Sequence, residues 1–184
     1  MDLIDALERA WTQGRELTSG LTSAALGAPT PCADWDLADL INHLLGEAQM
    51  MSDVNRGTTD TTVAADLLAP GDIIHSWERV AKDNVASWRE AGLEGTRTYF
   101  YGTFPAAASI VINLGEVLLH SWDIAQAARL GFAIDPELAA PVYDLYCSAP
   151  LEGMRAGGQL GAEILVPADA ALADRLLGLL GRQP

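Results

Sequence analysis

Three histidines, His43, His75 and His120, limit where imidazole chemistry can sit in this chain. His120 lies in a segment, residues 109–128, that is apolar on nearly every side. The exceptions are Asn113, Glu116, His120 and Asp123, spaced three, four and three residues apart. On a helix that spacing places them on one stripe, with Glu116 and His120 an i,i+4 pair whose heads can meet. A carboxylate and an imidazole so placed suit Zn²⁺ or a similar divalent ion. The same stripe also reads as the solvent-facing edge of an amphipathic helix, although such an edge usually carries more Lys, Arg and Glu than this one.

His43 has Asp39 and Glu47 one turn to either side. All three can face solvent, or His43 can turn into the space that Glu116 and His120 share. Three protein ligands with an open position make a catalytic metal site, whereas structural zinc sites close with four. Cys32, in the segment Pro-Thr-Pro-Cys-Ala-Asp-Trp, is either that fourth ligand or a packed thiol. His75 reads as a helix-surface or half-buried residue. Arg97 and Arg155 read as loop cations that solvate the surface or grip an anionic substrate. Trp11, Trp35, Trp77, Trp88 and Trp122 read as core and rim packing, with Trp122 also placed to line a pocket mouth beside His120.

Helices must position these residues. The periodicity predicts a first helix from Asp2 to about Leu17 and a second from Asp36 to about Val54. Asp36 is the expected N-cap, Asp39 its capping-box partner and Trp35 a hydrophobic staple. A third helix is predicted over Asp72–Ala91, after the break at Pro70 and Gly71 and stopped by Gly92. The fourth is expected from a Thr103 cap, with Pro105 in its first turn, to about Leu130. A fifth starts at Asp135 with Pro136 at N1 and a kink or restart at Pro141. Gly153 to Gly161 reads as loop, Glu163 to Val166 as a short extended piece, and Ala170 to Leu180 as a final helix. Arg97 to Tyr101 can extend, but one aromatic run does not make a sheet. The expected fold is all-α, a four-helix bundle with a short C-terminal extension, divided as 1–150 and a 151–184 segment packed on the bundle.

The 184 residues suffice for one core, and 49% of them are hydrophobic. Eleven basic against 25 acidic residues leave a formal charge of -14, which disfavours nucleic acid and anionic membranes as partners. Two cysteines in a chain with no need of a staple are expected as free thiols. The N-terminal stretch lacks the apolar run of a signal peptide, and no segment reaches the roughly 18 apolar residues of a membrane span. A cytoplasmic location is expected.

The segments around these candidates resemble a known family. Thr30, Pro31, Cys32 and Trp35, then Asp39, Leu40, His43 and Leu44, then Glu116, His120, Trp122 and Asp123 appear in the order of two signature regions. Those regions are similar to the actinobacterial metal-binding proteins related to mycothiol-dependent maleylpyruvate isomerase, within the DinB/YfiT-like helical-bundle superfamily. The resemblance covers nearly the whole chain, including the C-terminal tail. It implies a DinB/YfiT-like bundle with His43, Glu116 and His120 as ligands of Zn²⁺ or another divalent metal such as Ni²⁺. It also implies a low-molecular-weight thiol such as mycothiol, brought to the metal for S-transfer or isomerisation. Three departures stand out. Ser121 replaces a common Gly, Ala127, Ala128 and Arg129 replace an Ala-Thr-Gly helix end, and the chain lacks room for the full C-terminal domain of the isomerase.

Three functions follow as expectations. The first is a thiol-using metalloenzyme acting on a small electrophile, with Asp123 hydrogen-bonding a ligand or orienting an incoming group, or else pairing with Arg129. Asn113 and Trp122 are its candidates for a cavity wall that receives the thiol cofactor. The second keeps the metal for hydrolysis or a biosynthetic rearrangement without a thiol. The third is a non-catalytic metal-binding bundle. A homodimer is compatible with all three.

Overall fold

The structure is a computed structural model that describes residues 1–32, 34–69 and 71–184; Ala33 and Pro70 lie outside the described residues. Asp2 caps α1 (Leu3–Thr18) by accepting from the Ile4 and Asp5 N–H groups. Asp36 caps α2 (Leu37–Asn55) through the expected reciprocal box: Asp36 accepts from the Asp39 N–H at 3.0 Å, and Asp39 accepts from the Asp36 N–H at 3.2 Å. Asp72 caps α3 (Ile73–Ala91), which stops at Gly92, whose φ of 68° suits a residue without a Cβ.

The start of the fourth helix differs from the sequence expectation. Thr103 is not a cap: it lies in β2 (Gly102–Pro105), paired antiparallel with β1 (Thr96–Tyr99), so the aromatic run does form a two-stranded hairpin. Helix α4 (Ala106–Ala128) begins at Pro105, with no side-chain cap. It ends on Arg129 in the left-handed conformation, at φ 56°. That conformation favours glycine, and Arg129 occupies it two residues before Gly131.

Helix α1 packs against α3 and α4, and α2 packs against α3 and α4, so the bundle runs α1–α3–α2–α4 around its core. Leu7, Leu37, Leu40, Ile41, Leu44, Leu45, Ile110 and Leu114 are fully buried between them. Three buried tryptophans satisfy their indole N–H groups internally. Trp11 donates to Asn84 Oδ1 at 3.1 Å, Trp77 to the Trp11 carbonyl at 3.1 Å, and Trp88 to Asn113 Oδ1 at 2.9 Å. Residues 63–69 run beside α2, where Asn42 Oδ1 accepts from the Leu67 and Leu68 N–H groups.

The described chain divides into two compact units, 1–132 and 133–184, with residues 133–150 in the second. The reason is local: α5 (Pro136–Cys147) buries Leu138, Ala139 and Val142, and within the second unit it packs with α7 (Leu172–Leu179). Helix α5 continues through Pro141 instead of restarting there. The glycine-rich stretch begins with a short helix, α6 (Leu151–Ala156), and 163–166 is not a strand, although Ile164 N–H donates to the Gly178 carbonyl. Arg155 is tied to the Gly161 and Leu179 carbonyls. Among the described residues, no helix is long and apolar enough to cross a membrane.

Candidate metal centre

The seam between α2 and α4 gathers side chains that could hold a metal ion. His43 comes from the second turn of α2, and Glu116 and His120 from successive turns of α4. The three donor atoms lie within 4.8 Å of one another. His120 Nε2 is 3.1 Å and His43 Nε2 3.8 Å from the same Glu116 oxygen, Oε2. The imidazole rings of His43 and His120 stand edge to face, with centroids 5.1 Å apart. His120 is 8% exposed, while the His43 and Glu116 side chains are 27% and 24% exposed, so the cluster opens to solvent on that side.

On its other edge His120 Nδ1 is 3.0 Å from Asp123 Oδ2, and the Asp123 side chain is wholly buried. The Cys32 thiol donates to the same Oδ2 at 3.6 Å. Cys32, His120 and Asp123 thus form a second group of metal-capable donors that shares His120 with the first. Cys32 sits beside Asp123 and is absent from the His43–Glu116–His120 group. Cys32 and Cys147 are both free thiols.

The electrostatics follow from this packing. Burial opposes ionisation of Glu116, but hydrogen bonds and charge from His120 and His43 outweigh it and hold the carboxyl far below the usual carboxylate range. Burial likewise opposes a charged His120, and its bonds to Asp123, Cys32 and Glu116 outweigh that and push it well above the ordinary imidazole value. Glu47, one turn beyond His43, is 7% exposed, and burial together with the Glu116 charge raises its carboxyl to about 7.

A divalent metal fits this donor set. Tetrahedral zinc with bonds of 2.0 to 2.2 Å separates neighbouring ligand atoms by roughly 3.3 to 3.6 Å, and the 3.1 and 3.8 Å spacings bracket that range. The ionised carboxylate and the carboxylate-oriented imidazole also match what such ions select.

The remaining sequence candidates take other places. Asn113 and Trp122, expected on a cavity wall, are 0% and 8% exposed; Asn113 spends its carbonyl on Trp88, and its Nδ2 meets no partner among the described residues. Both belong to the packed body of α4. His75 is exposed. Arg97 is held by Asn55 and the Gly92, Glu94 and Thr96 carbonyls, with its guanidinium over Trp88. Two residues were not read as parts of the site from sequence. Trp35, expected as a helix staple, packs its ring against His43 at 4.5 Å and lies 6.5 Å from His120. Glu47 carried the right signal, four residues after His43, but its burial depends on a neighbouring helix.

Residues 7–125 match the family described as "Mycothiol maleylpyruvate isomerase N-terminal domain". Two uncharacterized proteins of Mycobacterium tuberculosis, Rv0738 of strain H37Rv and MT0763 of strain CDC 1551, are each 29% identical over 99% of this chain and 98% of their own length. Two crystal structures of a mycothiol-dependent maleylpyruvate isomerase share the fold at 15% identity. One aligns with a TM-score of 0.73 over 99% of this chain and 90% of its own; the other, a histidine-to-alanine mutant, gives 0.67 over 89% and 74%. The family match spans more than half of the residues and takes in both helices of the donor cluster, so the chain belongs to the mycothiol maleylpyruvate isomerase N-terminal domain family.

Proposed function

We propose that this protein is a divalent-metal-dependent enzyme that uses a low-molecular-weight thiol, of the mycothiol kind, for S-transfer to or isomerisation of a small electrophile. The observation that carries the reading is the convergence of His43, Glu116 and His120 on one point, with solvent access past His43 and Glu116. These three side chains would hold Zn²⁺ or a related ion such as Ni²⁺. When bound, such an ion supplies Lewis acidity that favours the deprotonated form of a thiol or water at neutral pH. The chain's own groups do the rest. Asp123 takes a hydrogen bond from His120 Nδ1, so that the Nε2 lone pair would be the one offered to the ion beside Glu116. Trp35 sets an apolar ring against His43 and near His120. Family membership supports a metal-dependent enzyme of this general class, and the thiol and the electrophile come from the names of the relatives.

The reading includes no nucleic-acid partner, consistent with the charge of -14. It is tested by titrating the Co²⁺-substituted protein with mycothiol and with simpler thiols. A sulfur-to-cobalt charge-transfer band that saturates with thiol is expected. An unchanged spectrum at saturating thiol would exclude direct thiol binding and favour hydrolysis or plain metal binding.

A further inference from the structure

Residues 26–32 and 34–38 are tied down more heavily than their loop composition suggests. Leu37 N–H donates to the Ala28 carbonyl and Ala38 N–H to the Leu26 carbonyl, both at 2.9 Å. Thr30 Oγ1 lies 3.0 Å from both the Cys32 and Trp35 carbonyls, and it accepts from the Cys32 N–H at 3.1 Å. One threonine hydroxyl therefore fixes the backbone on both sides of the segment that reaches the donor cluster. That segment delivers two groups: the Trp35 ring against His43, and the Cys32 thiol onto Asp123 Oδ2.

The oxygen that receives the thiol is the one bonded to His120 Nδ1. Asp123 is wholly buried, so the orientation of its carboxylate is set by neighbouring groups and not by bulk water. A second donor on Oδ2 beside His120 restrains the carboxylate where it meets Nδ1. We propose that Cys32 is a positioning residue for the metal centre, its thiol holding Asp123 against His120 Nδ1 so that Nε2 faces the Glu116 and His43 donors. Cys32 acts here as a hydrogen-bond donor and is not a metal ligand. The inference rests on the metal reading above and adds to it a thiol of the chain itself, distinct from any thiol brought as cofactor.

The test uses the full-length protein and its Cys32→Ala and Cys32→Ser variants, with Co²⁺ as the titrant. Loss of a group that orients a ligand should weaken Co²⁺ binding about tenfold in Cys32→Ala, with Cys32→Ser within about threefold of the parent because its hydroxyl still donates. The second readout needs no metal: the downfield Nδ1–H resonance of His120 in the metal-free protein. It should be sharp and slowly exchanging in the parent and Cys32→Ser, and broadened in Cys32→Ala. Equal Co²⁺ affinity and an unchanged His120 resonance in Cys32→Ala would overturn the proposal. So would a sulfur-to-cobalt band in the thiol-free parent that disappears in Cys32→Ser, since that outcome makes Cys32 a ligand. If the parent binds no Co²⁺, the metal reading fails, and the His120 resonance alone still decides whether Cys32 orders the Asp123–His120 pair.

Discussion

Along one stripe of α4, Glu116, His120 and Asp123 place three polar heads in or near the core, and each is bonded to another or to a group from α2 or the 30–35 loop. One residue further round the helix from His120, Ser121 is fully buried, and its hydroxyl meets no partner among the described residues. Its surroundings are Trp77 and Gly14: a Cβ added at Gly14 would lie 2.7 Å from Ser121 Oγ and 2.3 Å from a Trp77 ring carbon. The difference separates two kinds of buried polarity. A charged group in a low-dielectric interior persists only with partners, so the stripe is built as a unit. A lone hydroxyl costs about 1 to 3 kcal/mol, which the surrounding apolar core can absorb.

The comparison breaks most readily at Gly14. Gly14→Ala forces a methyl into the fixed ring of Trp77 and should destabilise the protein by about 3 kcal/mol, as overpacking does in well-filled cores. Urea denaturation should show the midpoint falling, while the metal affinity of the folded fraction stays unchanged.

Glu47 sharpens the contrast from the other side. Its carboxyl is raised to about 7 from an unfolded value of 4.5, so the folded state binds this proton more tightly than the unfolded one. The contribution is fully present below about 4.5 and is lost as the pH rises through about 7. Glu47→Gln removes that loss. In chelator-treated protein the variant should match the parent near pH 4.5 and exceed it at pH 8 by on the order of 2 to 3 kcal/mol. A stability difference that does not grow with pH would show that the burial of Glu47 carries no electrostatic cost.

Asp123→Asn keeps the shape of the side chain and removes its charge at His120 Nδ1. Metal affinity should fall 10- to 100-fold, about 1.4 to 2.7 kcal/mol, measured by competition with a chromophoric chelator. Ser121→Ala is the matching change on the neighbouring face and has the smallest effect. It should stabilise the fold by about 1 kcal/mol, seen in thermal unfolding, and leave metal affinity untouched. A loss of affinity in Ser121→Ala as large as in Asp123→Asn would dissolve the distinction between the two faces.

Much of this arrangement was legible in the sequence because it depends on spacing within single helices. The Glu116–His120 pair stood out in an apolar helix, and the Asp36–Asp39 box marked the start of the helix that carries His43. What stayed hidden depends on contacts between elements. Thr103 and Pro105 have the composition of a helix start, and only the pairing of 96–99 with 102–105 turns them into a strand. Trp35 reads as a staple until α4 brings His120 beside it, and Glu47 reads as exposed until the fold buries it within reach of the Glu116 charge. The division at 132 was invisible for the same reason: α5 shows an apolar face, but its partner α7 lies 25 residues beyond its end.

The central claim is that His43, Glu116 and His120 together hold one divalent ion, and the most direct measurement is metal stoichiometry in His43→Ala. Protein purified without an affinity tag should carry close to one equivalent of zinc or a related ion per chain. His43 is partly exposed, and its contacts are to this cluster and to the half-buried Trp35 ring, so its removal should abolish that equivalent while the unfolding transition shifts by less than about 1 kcal/mol. A full equivalent of metal retained in the folded His43→Ala protein would contradict the account.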